Sequence, residues 1–444
     1  MAKARHEFRD PVHNFIRVDD KDRIVVDSVP LQRLRNIHQL ATSFLVYPGA
    51  THRRFEHSLG VMELAGRVFD VVTDSDNLSE RMRQKFRDIL DEREYWRRML
   101  RSAALCHDIG HLPFSHAPED LLPTGWDHER MTVALIRSAP LSDIWRDQSP
   151  VLNEIDIARL AVSPRAFAAH VPNADQLDTR KDVLSEVISG EAFGVDRMDY
   201  LLRDSLHLGV AYGKFDHYRL IDSLRILPSP IDGVDEDERE PQLGVTEGGL
   251  HSAEALLLAR YFMFTQVYFH PVRRIYDVHL GEFLKAWLPD GAFTSDPAQH
   301  LDLTDAEVLV GLRQAAKDPG AAGHDPARRL IHREHFKVLW ERNQPDLEKN
   351  SDAGRVIFEA AVEAFGEDKV RRPAPINPRA ATVDFPVLLR GDRVSSAQSV
   401  SDVLQKLPPI ASDFVYVEPA SRDRASRWLR DNIDEILERV PRED

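Results

Sequence analysis

The chain has 444 residues, 42% hydrophobic and 30% charged, with a formal net charge of -15 and a single cysteine, Cys106. That length allows two or three units with buried cores, and no apolar run approaches the ~20 residues a membrane-spanning helix needs. One cysteine excludes an intrachain disulfide framework, and the negative charge argues against a broad nucleic-acid-coating surface, because affinity for phosphate backbones rests on clustered Lys and Arg.

A single anionic small molecule in a locally basic pocket remains compatible with this balance. The opening MAKARHEFRDPVHNF lacks the apolar core of a secretory signal, so the expected setting is the cytoplasm. Residues 1–227 read as mostly helical. From Ser58 to Val72 the apolar residues Val61, Leu64, Ala65, Val68 and Val72 fall on one helix face. Residues 78–107 read as one helix, with Trp96, Leu100 and Ala103 as its stripe and a charge-rich solvated face opposite.

PSPIDGVDEDEREPQLG (228–244) is a loop by its turn residues and like charge, the tip of a hairpin between short strands near 224–227 and 243–246. Helix resumes at Leu250 and meets a break at Pro271. Further helices are expected around 304–317, 325–343 and 352–366. Val383–Leu389 and Phe414–Val417 read as strands and 421–439 as an amphipathic helix. The expected fold is mainly α, a helical core with a small α+β C-terminal lobe. The expected division is 1–230 core, 231–350 helical extension and 351–444 lobe.

The densest polar signal is LCHDIGHLPFSH (105–116). His107 extends its helix stripe at i+4 from Ala103 and i+7 from Leu100, so it faces inward with Asp108 beside it. His57 precedes a stripe at i+4, i+7 and i+8. Asp196 opens VDRMDYLLRD, where Tyr200 and Asp204 recur on its face. Taken singly, an inward His is more often a core or helix-end residue than a ligand, and an inward Asp more often caps a helix or pairs with Arg. Together, four such groups on three helices suit a divalent cation, since buried ionised carboxylates beside histidines need one or a strong partner.

These residues carry a resemblance. FRDPVHNFI, LQRLRNIHQL, YPGATHRRFEHSLGV, LCHDIGHLPFSH, DHE and VDRMDYLLRDSLHLGV occur in order over roughly residues 6–280. This set resembles the HD-domain metal-dependent phosphohydrolases, and within them the dNTP triphosphohydrolase branch that includes the human sterile-alpha-motif/HD-domain dNTPase. The resemblance implies an HD-domain core at 1–230 and an extension at 231–350 that completes the nucleotide site and an oligomer interface. It implies His57, His107, Asp108 and Asp196 as ligands of Mg, Mn, Fe or Zn. His111, His116 and His128 would surround the triphosphate, with His116 as general acid and Glu129 orienting a neighbouring histidine.

By the same resemblance, Arg54 and Arg197 would grip phosphates, and Tyr200 and Asp204 would lie near the sugar and phosphates. Gln39 and Asp204 would bond the 3′-hydroxyl, while Leu40 and Tyr276 would exclude a ribose 2′-hydroxyl. Asp199 and Arg203, at i,i+4, read as a structural pair. RRIYD (273–277) departs from the human RRAYQ, and Tyr268 stands where an Arg is found, so base preference is not carried over.

Asp27, Gln32 and Arg35 match a guanine-nucleotide activator site, with Val46, Tyr47 and Arg225 where a second nucleotide packs between subunits. That reading implies a GTP or dNTP activator and a homo-oligomer, a tetramer. A capping Asp and a surface Arg explain the same residues equally well. The expected activity is hydrolysis of dNTPs to deoxynucleoside and inorganic triphosphate. The alternatives are another HD phosphohydrolase (on nucleoside monophosphates, signalling nucleotides or single-stranded nucleic acid) and a non-catalytic nucleotide sensor.

Overall fold

The computed structural model describes residues 6–115, 117–171, 178–230, 239–379 and 384–441, and it is predominantly helical. Two compact units divide the chain. The first comprises Met1–Met263, Phe293–Ala306 and Ala381–Leu407, and the second Phe264–Ala292, Glu307–Ala380 and Pro408–Asp444. Among the described residues no helix is long and apolar enough to cross a membrane.

In the first unit, the expected helix is Arg54–Val72, and Val61, Leu64, Ala65, Val68 and Val72 are fully buried along it. It packs against Arg93–Cys106 and Val195–Leu208. Three helices thereby bring their inner faces to one place. At ~1.5–3 kcal/mol for each large apolar side chain removed from water, this stripe anchors the helix.

The helix expected over 78–107 is instead three: Glu80–Lys85, Arg87–Asp91 and Arg93–Cys106. Phe86 and Glu92 sit at the breaks with φ/ψ of -100°/14° and -111°/34°. Between buried Ile89 and Met99 the sequence offers mainly charged residues, so no continuous apolar stripe holds one axis. A second difference is the hairpin His6–Asp10/Asn14–Val18, which the helical reading of 1–227 missed. Each strand is five residues long, too short for alternation to stand out, and Asn14 takes the turn at φ 64°.

The strands near 224–227 and 243–246 are present as Leu224–Pro228 and Pro241–Thr246, antiparallel. The central part of their expected connecting loop, 231–238, lies outside the described residues. Pro386–Leu388 adds to Pro241–Thr246 in parallel, and Val394–Ser396 forms the outer strand.

In the second unit, Pro271 opens the helix Pro271–Trp287, at a first-turn position where its missing N–H is not needed. The helix expected over 325–343 ends at Ile331. Arg333, at φ 59°, redirects the chain, and Lys337–Glu341 becomes a strand. Its KVLWE pairs with Phe414–Val417, which also pairs with Val370–Arg371. Helices Ala353–Phe365 and Arg422–Leu437 close over this sheet, burying Trp340, Val356, Ile357, Val415 and Leu429.

Candidate active site

His57 lies one turn into the Arg54–Val72 helix, and its ring has no solvent exposure. His107 caps the C-terminus of Arg93–Cys106, with Asp108 next in sequence. Single donor atoms of His57, His107 and Asp108 all lie within 4.8 Å of one another. Asp196, in the first turn of Val195–Leu208, joins them: its Oδ1 is 2.9 Å from His57 Nε2 and 3.5 Å from His107 Nε2. The four residues read from sequence as cation ligands therefore converge. Asp196 is also the opening of the cluster, with a side chain 37% exposed against 7% or less for the other three.

Two features fit a divalent cation. His107 Nδ1 donates to the Ala104 carbonyl at 2.8 Å, which leaves Nε2 as the lone pair facing the cluster. That Nε2 is buried and, among the described residues, has no hydrogen-bond partner. His57 Nδ1 is likewise committed, to Asp199 Oδ2 at 2.8 Å. A carboxylate behind an imidazole fixes its tautomer and raises its basicity, the usual support for a metal-ligating histidine.

The electrostatics agree. Burial disfavours a charged His57 ring, yet its hydrogen bonds to Asp196 and Asp199 outweigh burial and lift its pKa to about 10. Burial would likewise raise the Asp196 carboxyl, but His107 and His57 hold it below the ordinary range. Among the described residues, Asp196 meets no Lys or Arg at ion-pair distance, whereas Asp108 meets Arg54 at 2.5 Å. The place strongly favours positive charge, and neutral imidazole with carboxylate is a donor set that borderline divalent cations accept. The residues fit the metal.

Around this centre, His111 Nε2 is 3.2 Å from Asp108 Oδ1, and its ring stacks on His128 with centroids 4.3 Å apart. Burial, with Arg54 and His128 nearby, holds the His111 pKa well below the usual value. For His128, burial is outweighed by its bond to Glu119, so its pKa is raised. The carboxylate bonded to His128 is thus Glu119. Glu129, expected to orient a neighbouring histidine, accepts at Oε1 from the Ser163 N–H and hydroxyl at 3.2 Å each, and its charge adds to that of Glu119 in favouring protonated His128. His116 lies outside the described residues.

Arg54 joins the cluster through Asp108 and through Ser115 Oγ at 2.9 Å. Arg197 is next to Asp196 in sequence and donates to the Gly190 and Glu191 carbonyls. Tyr200 is a turn further on, and Asp204 is buried with His52 Nε2 at 2.7 Å from its Oδ1. Gln39 donates its backbone N–H to His52 O at 3.0 Å, and Leu40 is buried beside it. Tyr276 belongs to the second unit, where its ring lies tilted at 51° against that of His335 with centroids 4.7 Å apart.

Of the residues expected at an activator site, Gln32 and Arg35 meet: Arg35 Nε donates to Gln32 Oε1 at 2.8 Å, and its guanidinium lies over Phe55. The Asp27 carboxylate faces Arg23 at 2.6 Å. Val46 and Tyr47 are half-buried, and Arg225 donates to the Asp222 and Leu224 carbonyls.

Sequence reasoning took Asp199 and Arg203 as a structural pair. They are paired at 2.8 Å, but Asp199 also holds His57, accepts from His13 at 2.6 Å, and sits beside Arg203, which reaches Asp10. The signal was a third carboxylate at i+3 from Asp196, facing the same inward histidine. Gly60 makes the arrangement possible: a Cβ there would lie 2.0 Å from Asp199 Oδ1. Asp305 was also missed. Its carboxylate accepts from the Phe114 and His38 N–H groups at 2.7 Å each, pinning the loop after the HD pair.

Residues 54–204 match the family model described as HD domain, and residues 215–423 match that of the HD associated region. The chain is 33% identical over 376 residues to "Uncharacterized protein YwfO" of Bacillus subtilis, covering 80% of this chain and 77% of that one. It is 32% identical over 302 residues to human "Deoxynucleoside triphosphate triphosphohydrolase SAMHD1", covering 62% of this chain and 44% of that one. A solved structure of a hypothetical protein from Aquifex aeolicus matches with a TM-score of 0.75 and 31% identity, over 96% of this chain and all of that one. The buried donor set and these matches support metal-dependent phosphohydrolase activity. The chain belongs to the HD-domain phosphohydrolase superfamily and is distantly related to SAMHD1-like proteins.

Proposed function

We propose that this protein hydrolyses deoxynucleoside triphosphates to deoxynucleoside and inorganic triphosphate. The observation that carries the reading is the convergence of His57, His107, Asp108 and Asp196, open at Asp196 and flanked there by Arg197. Relatives named deoxynucleoside triphosphate triphosphohydrolase, among them the chicken and human SAMHD1 proteins, support the substrate class, although this chain spans less than half of either.

A divalent cation held by the four residues supplies Lewis acidity toward water and neutralises phosphoryl oxygens. The protein's own groups do the rest. Asp199 keeps His57 oriented, and the Ala104 carbonyl keeps His107 in the tautomer with Nε2 inward. Arg54 and Arg197 receive phosphate oxygens, which forked guanidinium donors suit. The stacked His111–His128 pair lines the phosphate path, its charge set by Glu119. His116 is the proposed proton donor to the leaving sugar oxygen, while Gln39, Leu40, Tyr200 and Asp204 recognise the sugar. Water attacks the α-phosphorus and the sugar oxygen leaves with a proton.

The same reading carries a GTP or dNTP activator at Asp27, Gln32 and Arg35, with Val46, Tyr47 and Arg225 at a second nucleotide, and a homotetramer as the working form. The Gln32–Arg35 bond supports it by presenting a pre-set polar edge. Incubation of the purified protein with Mg²⁺ or Mn²⁺ and each dNTP and NTP, with and without GTP, tests both halves by product chromatography. Inorganic triphosphate with deoxynucleoside is expected; phosphate or pyrophosphate as the sole inorganic product would overturn the reading.

A further inference from the structure

We propose that Asp305 is a positioning residue of this active site: its carboxylate fixes the two chain segments that aim the Arg54 guanidinium at a substrate phosphate. It rests on the reading above for Arg54 as a phosphate grip, while the chemistry requires only a polyphosphate.

Arg54 opens the helix Arg54–Val72, three residues before His57, and is buried. Its Nη1 meets Asp108 at 2.5 Å, and its Nε donates to Ser115 Oγ at 2.9 Å. Two of the three guanidinium nitrogens are thereby committed, and Nη2 is the one that remains for a phosphate oxygen. The Ser115 hydroxyl has a set direction. It donates to the His38 carbonyl at 2.9 Å, so a lone pair faces Arg54.

One buried carboxylate holds both sides of that hydroxyl. Asp305 Oδ1 accepts from the N–H of Phe114, the residue before Ser115, at 2.7 Å. Its Oδ2 accepts at 2.7 Å from the N–H of His38, whose carbonyl receives the Ser115 hydroxyl, and His38 Nδ1 lies 2.5 Å from the same oxygen. Phe114 and Ser115 stand at φ 58° and 60°. Two consecutive side-chain-bearing residues stay in the left-handed region only where their surroundings hold them. Here the Asp305 bond does so, with the Phe114 ring stacked on that of His38 at 6.1 Å between centroids. Arg33 ties the same segments together, donating to the His111 carbonyl at 2.9 Å and to the Leu303 carbonyl at 3.0 Å.

Hydrogen bonds fix direction as well as distance, so this clamp sets the Ser115 oxygen more tightly than apolar packing would. If the Phe114–Ser115 loop shifts, the Arg54 fork turns with it, and a misplacement of about 1 Å is enough to spoil a charge-assisted bond to phosphate. Asp305 lies outside the residues matched as HD domain and inside those matched as HD associated region. The associated region thereby sets the aim of an arginine that the HD segment carries.

Calorimetric titration of the manganese-loaded protein with sodium tripolyphosphate tests the chain Asp305–Ser115–Arg54 as a double-mutant cycle. Asp305→Asn keeps one acceptor oxygen for two backbone N–H groups and should weaken tripolyphosphate binding roughly tenfold. Ser115→Ala removes only the hydroxyl that the carboxylate holds in place, and should weaken it about as much. The double variant should be little worse than either single one, because both break the same chain. A merely structural Asp305 would instead give losses that multiply. Arg54→Lys keeps the charge beside Asp108 but loses the Nε bond, so adding Ser115→Ala to it should change nothing further. Unchanged affinity in Ser115→Ala, unchanged affinity in a folded Asp305→Asn, multiplied losses in the double variant, or no tripolyphosphate binding by the native protein would each overturn the proposal. The first of these needs no Asp305 variant to fold. The two readings fail separately. If tripolyphosphate binding depends on Asp305 and Ser115 as one unit but dNTPs are not cleaved, the dNTP reading falls and the Asp305 assignment stands. If dNTPs release inorganic triphosphate while both variants bind tripolyphosphate normally, the reverse holds.

Discussion

Two clusters of the same residue types occur in the two units, and they come to different ends. In the second unit, His279 Nδ1 lies 3.0 Å from Glu282, its Nε2 accepts from the Phe336 N–H at 3.3 Å, and Arg329 and Arg371 close on the same carboxylate. Both ring nitrogens are used and two guanidiniums neutralise Glu282, so burial lowers the His279 pKa. In the first unit, His57 is bracketed by two carboxylates, and among the described residues His107 Nε2 has no hydrogen-bond partner and Asp196 meets no guanidinium. The His279 cluster is complete in itself. The His57–His107 cluster leaves a donor atom for a cation, and an unspent lone pair beside a carboxylate that no guanidinium meets among the described residues is what separates a reactive centre from a structural knot.

Substituting one histidine from each cluster gives the largest contrast. His107→Ala should remove bound divalent metal and bring phosphohydrolase activity to background, whereas His279→Ala should leave metal content unchanged and lower the melting temperature. Metal analysis beside thermal unfolding reads both. Retained metal in His107→Ala would erase the distinction.

Asp199→Asn comes next. Loss of the carboxylate behind His57 should weaken metal affinity by roughly 10- to 100-fold with the fold retained, as outer-shell substitutions do. Competitive metal titration reads it, and unchanged affinity would return Asp199 to a purely structural pair with Arg203. Gly60→Ala probes the same spot from the opposite helix. A Cβ placed 2.0 Å from Asp199 Oδ1 forces the helices apart, so a loss of about 1–3 kcal/mol is expected in denaturant unfolding, together with weaker metal binding.

The smallest effect concerns pH and the second unit. Burial would raise the Glu282 carboxyl, but His279 and Arg371 bring its pKa down from 4.5 to about 2. A depressed native pKa contributes stability that is full above the unfolded value of 4.5 and is lost as pH falls toward 2. The stability difference between the native protein and Glu282→Gln should therefore be greatest above pH 4.5 and shrink in acid. A difference constant across that window would show that Glu282 is not held by these charges.

How much of this was legible in the sequence follows from what periodicity can carry. Long stripes such as Val61 to Val72 fixed a helix and turned His57 inward, and Pro271 marked a boundary correctly. Short elements were lost. The hairpin 6–18 and the strand Lys337–Glu341 are five-residue segments whose conformation is set by partners distant in sequence, and the split of 78–107 reflects missing apolar anchors. Residues that act on ligands through the protein were hardest to see. Asp199, Glu119 and Asp305 are ordinary acids in sequence, and only tertiary pairing shows Asp199 behind His57, Glu119 behind His128 and Asp305 pinning Phe114.

On the proposed function, triphosphate is released at a cation held by His57, His107, Asp108 and Asp196. Metal-free protein titrated with Mn²⁺ while inorganic triphosphate release from a dNTP is followed tests it most directly. A rise that saturates near about one equivalent per chain is expected, as a single-ion site requires, with none in His107→Ala. Triphosphate release that ignores added metal, or that persists in His107→Ala, would contradict it.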